Sequence, residues 1–95
     1  MNSKIGGIGH YIPEKKVTNK DLEEVMDTSN EWIIERTGIH QRHYGAKHKE
    51  TTSIMGARAA EMAIKNAGIN KEDIDFIIFA TLSPDYYFPG GGVLL

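Results

Sequence analysis

The sequence predicts an α/β fold, and an incomplete one: strand, helices, strand, with too few strands for a whole sheet. Three observations carry this. Ile74 to Ala80 reads Ile-Asp-Phe-Ile-Ile-Phe-Ala, a nearly continuous apolar run of the kind expected of a strand covered on both faces. Ile5 to Ile12 is largely apolar, with glycines at 6, 7 and 9, and ends at Pro13; it reads as a buried N-terminal strand with glycine where another backbone comes close. Between the two lie several helix start and stop signals. The chain ends on an apolar run just past a loop, so a truncated α/β chain is the simplest expectation.

The elements follow in order. Pro13 to Lys16 is a short polar turn. Thr18 then caps a helix running to about Met26, with Asp21 three residues on in a capping-box position. A second start signal comes at once: Thr28 and Glu31 have capping-box spacing, and Ser29 is an alternative cap. The helix Asn30 to Arg36 stops before Gly38, which suits a left-handed C-terminal cap. His40 to Tyr44 is either a short strand or an extended arm, and Gly45 to Glu50 a polar loop. Thr51 and Thr52 precede the strongest helix, Ser53 to Ala67, stopped by Gly68. Arg58, Glu61 and Lys65 give it a wet face with one Glu–Lys pair. Ala59, Ala60, Ala63 and Ala67 give another side a small-residue surface suited to close packing, and Gly56 costs it a little helix propensity. Asn70 to Asp73 is a turn, and Thr81 to Asp85 a loop containing Pro84.

Composition narrows the class. The 95 residues carry a net charge of −2, with 40% hydrophobic and 25% charged residues, as in an ordinary globular segment rather than a disordered tail. The length allows at most one small domain. The charge balance offers no basic field for nucleic acid and no polybasic membrane anchor. There is no cysteine, hence no disulfide, thiolate metal site or cysteine nucleophile within these residues. The N-terminus lacks the apolar stretch of a signal peptide, and Ile74 to Ala80 is too short to span a bilayer as a helix, so a cytoplasmic location is the expectation.

Few residue groups could carry chemistry. Gly7-Ile8-Gly9 lacks the third glycine of a dinucleotide fingerprint, since position 12 is Ile12, and a proline turn follows where a helix should open. Tight backbone packing is the better reading. Trp32 and Arg36 lie one helical turn apart, and such a pair can hold a flat ring, the indole stacking and the guanidinium stacking or binding phosphate. The free amides at the start of their helix would favour an anion nearby. Residue chemistry alone favours the other reading, an amphipathic helix that buries Trp32 and Ile33 and leaves Arg36 solvated, since aromatic residues usually serve packing. His10, His40, His43 and His48 make no metal set with carboxylate or thiolate, and His40 and His43 on a strand would face opposite sides. Asp73 and Asp75 lack a pocket to make them an acid–base pair. Tyr86, Tyr87 and Phe88 beside Pro89 form an aromatic cluster that fits a pocket wall, an oligomer contact or core.

One long run is more specific than any of these. Asp27 to Ile39, Asp-Thr-Ser-Asn-Glu-Trp-Ile-Ile-Glu-Arg-Thr-Gly-Ile, closely resembles the signature of the β-ketoacyl-acyl-carrier-protein synthase III family. Supporting matches are Ile5 to Pro13, Thr18-Asn19 with Asp21-Leu22, the alanine-rich helix with Ala67-Gly68-Ile69, and Ala80-Thr81 leading to Phe88-Pro89. The resemblance implies the incomplete N-terminal part of a thiolase-like α-β-α-β-α sandwich, with residues 1–95 a partial domain cut before the catalytic cysteine. It implies an acyltransferase that condenses an acyl-CoA primer with malonyl-acyl carrier protein to start fatty-acid synthesis, usually as a homodimer. No cofactor is implied, acyl-CoA being a substrate. The family's acylated cysteine, histidine and asparagine would all lie beyond Leu95, so no catalytic residue is assigned here. What carries over is the coenzyme A side: Thr28, Trp32, Arg36 and Thr37 match positions around the adenine end, with Trp32 stacking on the ring. Phe88 matches a position that reaches the partner subunit's primer pocket, an acyl-chain contact. Gly90-Gly91-Gly92 departs from the family's small and polar residues there. Two alternatives stay open, a related thiolase-fold condensing enzyme of secondary metabolism and a non-catalytic small binding module.

Overall fold

The computed structural model describes residues 2–86. They fall into two compact units, residues 12–46 and residues 2–11 with 47–86; the stretch from Tyr87 to Leu95, with its part of the aromatic cluster and the triple glycine, lies outside the described residues.

In the unit 12–46 the elements are strand β1 (Lys15–Thr18), helix α1 (Asn19–Glu23), helix α2 (Asn30–Thr37) and strand β2 (Gln41–Tyr44). The two strands pair antiparallel, Lys15 opposite Tyr44 and Thr18 opposite Gln41. The expected Pro13–Lys16 turn is therefore half strand, and His40–Tyr44 resolves as a strand rather than an arm. Thr18 caps α1 as expected: its hydroxyl accepts from the Asp21 amide at 3.2 Å, and the Asp21 carboxylate accepts from the Thr18 amide at 2.9 Å. The Thr18 amide, donating to it, is the main reason the Asp21 carboxyl titrates below its ordinary value. α1 is shorter than the expected helix to Met26. After Glu23 the amides of Glu24 and Val25 turn back three residues, to the carbonyls of Asp21 and Leu22, which tightens the chain into a turn. Val25 and Met26 are exposed, so no apolar packing extends the helix.

α2 begins where Ser29, not Thr28, supplies the cap: the Ser29 hydroxyl accepts from the Trp32 amide at 3.1 Å. It ends at Gly38, whose φ of +71° is the left-handed cap the glycine predicts, its amide donating to the Ile34 carbonyl at 2.8 Å. Val17 and Ile33 form the small apolar core of this unit, each 7% exposed. Beside them Asn19 is buried at 1% exposure.

In the other unit, α3 (Thr52–Ala67) ends at Gly68, again left-handed, and a 3₁₀ turn follows at Lys71–Asp73. The small-residue face of α3 does what its composition suggests. A Cβ on Gly7 would sit 2.8 Å from the Cβ of Ala67 and closer still to the Ala63 carbonyl oxygen; one on Gly9 would run into the main chain at Ala59 and Ala63. The opening glycines thus let two backbones touch, the packing role expected of them rather than a phosphate loop. Asn66 fixes the contact, donating from Nδ2 to the Ile8 carbonyl at 2.9 Å.

Two expectations fail here. Neither Ile5–Ile12 nor Ile74–Ala80 forms a strand, and among the described residues the only sheet is the β1–β2 pair. A strand is stabilised by a neighbour's ladder, and among the described residues no segment pairs with either run. Their side chains are left largely uncovered, with Ile5, Phe76 and Ile78 about four-fifths exposed. The wet face of α3 also behaves differently. Arg58 turns onto Tyr11, its guanidinium 5.0 Å from the ring centre and its Nη1 donating to the hydroxyl at 2.8 Å; that hydroxyl donates to Glu50. The bond to Glu50 raises the Tyr11 pKa above its ordinary value.

The sequence also concealed how α3 begins. Thr51 occupies the cap position without capping. Asp85 does so from a distance of 32 residues, accepting from the Ser53 amide and hydroxyl, both at 2.8 Å. The amide of Ser53 is the first cause of a lowered Asp85 pKa. Asn70 and Asp73 cap the 3₁₀ turn reciprocally, so the Asp73 carboxylate is spent on structure.

Candidate functional site

The start of α2 opens onto a groove of about 310 Å³ lined by Asp27, Thr28, Ser29 and Trp32. Its position follows from the chain's local chemistry. The tight turn after α1 brings Asp27 and Thr28 round, with the Thr28 amide donating to the Met26 carbonyl at 3.0 Å. Ser29 then starts the helix, and one turn of 3.6 residues sends Ile33 inward and Trp32 to the open side. Trp32 is 52% exposed while Ile33 is buried, so the helix does not bury both. The packing reading of Trp32, which the residue type favours, is the one the structure sets aside.

Arg36 stands over the Trp32 ring, its guanidinium carbon 5.3 Å from the ring centre. This is a cation–π contact, worth about 0.5–1 kcal/mol at an exposed site. The indole face and the planar guanidinium offer a flat surface with a fixed positive charge. That combination suits a flat heterocycle carrying an anionic group.

The anion site expected at the N-terminus of α2 is not open. The Asn30 amide donates to Glu23 Oε1 at 2.7 Å, and the Trp32 amide is taken by the Ser29 hydroxyl. A carboxylate already neutralises the positive end of the helix. Positive charge at this site therefore comes from Arg36, in the last turn of the helix.

Of the residues matched to the coenzyme site, Thr28 and Trp32 share the groove, and Arg36 joins them through the ring. Thr37 stands apart from the groove lining. Its hydroxyl closes the helix end, donating to the Ile33 carbonyl at 2.7 Å and accepting from the Ile39 amide at 3.1 Å. Phe88 lies outside the described residues.

Residue-by-residue reading missed Asp27 and Ser29 as groove lining and gave Asn19 no role of its own. Asn19 Nδ2 donates to Asn30 Oδ1 at 2.9 Å and to the Ile39 carbonyl at 2.8 Å, and its Oδ1 accepts from Arg42 Nη2 at 2.7 Å. An asparagine just after a cap gives no local sign of such a network, because its partners lie 11 to 23 residues away. Among the described residues, no three histidines and carboxylates gather as a metal set, and no helix is long and apolar enough to cross a membrane.

No family model matches the chain. Known proteins do. A β-ketoacyl-acyl-carrier-protein synthase III from Chlamydia pneumoniae is 56% identical over 90 residues, which are 95% of this chain and 27% of that protein. The solved 3-oxoacyl-acyl-carrier-protein synthase III from Aquifex aeolicus superposes with a TM-score of 0.88 at 45% identity, over 98% of this chain and 30% of that one. A priming β-ketosynthase from a polyketide biosynthetic pathway superposes with a TM-score of 0.69 at 33% identity, over 85% and 26% respectively. The chain spans just over a quarter of the length of the curated relatives it matches, and its architecture is a partial thiolase-like α/β fold. Taken with the Asp27–Ile39 run and the shared fold, these matches show that the chain is similar, over nearly its whole length, to one part of the β-ketoacyl-acyl-carrier-protein synthases III.

Proposed function

We propose that the protein carrying this segment condenses an acyl-CoA primer with malonyl-acyl carrier protein, and that the segment holds the adenine end of the coenzyme. Supporting this is the half-exposed Trp32 with Arg36 over its ring, beside a groove that Thr28 helps to line. Adenine stacks on the indole face, and Arg36 supplies charge for a coenzyme phosphate. The closed N-terminus of α2 favours Arg36 over the helix amides as the phosphate partner. Thr37 acts at this site through its helix-end hydroxyl bonds, which fix the last turn carrying Arg36. The acyl-accepting thiol must come from other residues, as the 95 residues contain no cysteine.

On the family resemblance, the segment forms the opening part of the N-terminal half of the sandwich, in an enzyme that works as a homodimer in the cytoplasm. Phe88 is then an acyl-chain contact. The likeness to a polyketide priming ketosynthase supports a second reading, a condensing enzyme of secondary metabolism with the same coenzyme site. Comparing malonyl-acyl carrier protein with malonyl-CoA as extender in the full-length protein separates the two.

The site is tested by Trp32→Ala in the full-length protein, with CoA-thioester affinity read by calorimetry. Binding should weaken by roughly 1–3 kcal/mol, the scale of stacking a base on an aromatic side chain. Unchanged affinity in a folded variant sinks the stacking role.

A further inference from the structure

We infer that Asn19 is a positioning residue for the coenzyme site: one buried side chain that pins both ends of the helix carrying Trp32 and Arg36. The inference rests on the reading of that pair as the adenine-binding surface.

Asn19 is 1% exposed, and its carboxamide uses both protons and one face of its oxygen. One proton goes to the side chain of Asn30, the first residue of α2, and the other to the carbonyl of Ile39, just past the Gly38 cap. The oxygen accepts from Arg42 on β2, whose other terminal nitrogen reaches the Val17 carbonyl on β1 at 3.3 Å. The backbone adds a fourth tie, from the Asn19 amide to the His40 carbonyl at 3.2 Å. Thus the two ends of α2 are referred to the same atom group, which is itself anchored to both strands. Only one orientation of the amide satisfies two oxygens and a guanidinium, so the network fixes a direction as well as a distance. α2 has eight residues and buries a single side chain, Ile33. Apolar packing that slight leaves rotation and tilt of the helix weakly determined, and the polar ties supply the missing constraint. Asparagine is specific for this task. Aspartate has no protons for Asn30 and Ile39, and leucine satisfies none of the three partners.

The test compares Asn19→Asp with Trp32→Ala, and with the two combined, in the full-length protein. Asn19→Asp keeps an oxygen for Arg42 and loses the proton given to the Ile39 carbonyl, and it keeps the tie to Asn30 only if that carboxamide turns over to donate. It should raise KM for acyl-CoA about tenfold, the scale of leaving buried hydrogen-bonding groups unpaired, with kcat unchanged within about twofold. Because the effect runs through Trp32, Asn19→Asp should add nothing to KM in the Trp32→Ala background. Asn30→Ala, which removes one tie at the start of α2, should raise KM in the same way by a smaller factor; this serves if Asn19→Asp fails to fold. KM raised by the same factor in both backgrounds, or unchanged in the folded variants, overturns the positioning role. KM raised by Trp32→Ala and untouched by the Asn19 and Asn30 variants overturns that role alone. KM untouched by Trp32→Ala overturns the reading of the site, and the positioning role falls with it.

Discussion

Adding one methyl group at Gly9 should cost the protein far more than adding the same group at Gly6, three residues earlier. A Cβ at Gly6 meets nothing within 4 Å, and the residue does not use the left-handed backbone that glycine alone favours. Gly6→Ala should therefore be neutral or stabilise by about 0.4–1 kcal/mol, because it narrows the unfolded ensemble. A Cβ at Gly9 collides with the main-chain oxygen of Ala59 and nitrogen of Ala63, and lies 3.0 Å from the Met62 Cβ. Two of these three atoms belong to the α3 backbone, which has no rotamer to change, so relief requires the segment to lift from the helix. That is overpacking, worth about 1–3 kcal/mol. The two variants should thus differ by roughly 1–4 kcal/mol, with Gly6→Ala the more stable. Trimming the helix side chains should not rescue Gly9→Ala, since its worst contacts are main chain. Urea unfolding of the full-length variants measures the gap. Equal midpoints for Gly6→Ala and Gly9→Ala would refute the close backbone contact, and with it the physical reason for glycine there.

Other outcomes follow from the helix ends. Ser29→Ala should destabilise by about 1 kcal/mol in chemical unfolding, whereas Thr28→Ala should not, because the hydroxyl that accepts from an α2 amide is that of Ser29 and not that of Thr28. The opposite order would return the cap to Thr28. Asp85 has a folded pKa below its ordinary value of 3.8, so its stabilisation of α3 is fully present above that pH and is lost as pH falls through the lowered value. Asp85→Asn should therefore make stability less dependent on pH below about 4, read as thermal midpoints across an acid series; an unchanged slope would remove the remote cap.

Local chemistry made much of this segment legible before any geometry. Thr18 with Asp21, and glycines at 38 and 68, mark helix ends through bonds within four residues, which a sequence displays directly. The glycine and alanine positions likewise announced a close contact, since few other roles suit both. The two apolar runs misled, because their residues suit a covered strand while saying nothing of whether a neighbour pairs with it. β1 escaped notice for the opposite reason: Lys15 and Lys16 look like a solvated turn, and only the register with His43 and Tyr44 makes them strand. Trp32 shows the limit at the site. Its size argues for burial, and only the direction in which α2 turns Ile33 inward puts the indole outside. Long-range polar partners were invisible altogether, as with Asp85 for Ser53 and Asn19 for Asn30 and Arg42.

The central claim is that the exposed face of Trp32 receives the adenine of coenzyme A, with Arg36 beside it. A crystal structure of the full-length protein with bound coenzyme A tests it most directly. The adenine ring should lie parallel to the Trp32 indole at about 3.5–4 Å, the contact distance of stacked carbon atoms, with the Arg36 guanidinium in contact with the ring or a phosphate. A coenzyme whose adenine sits away from Trp32, leaving the Arg36–Trp32 contact as it is without ligand, would contradict the account.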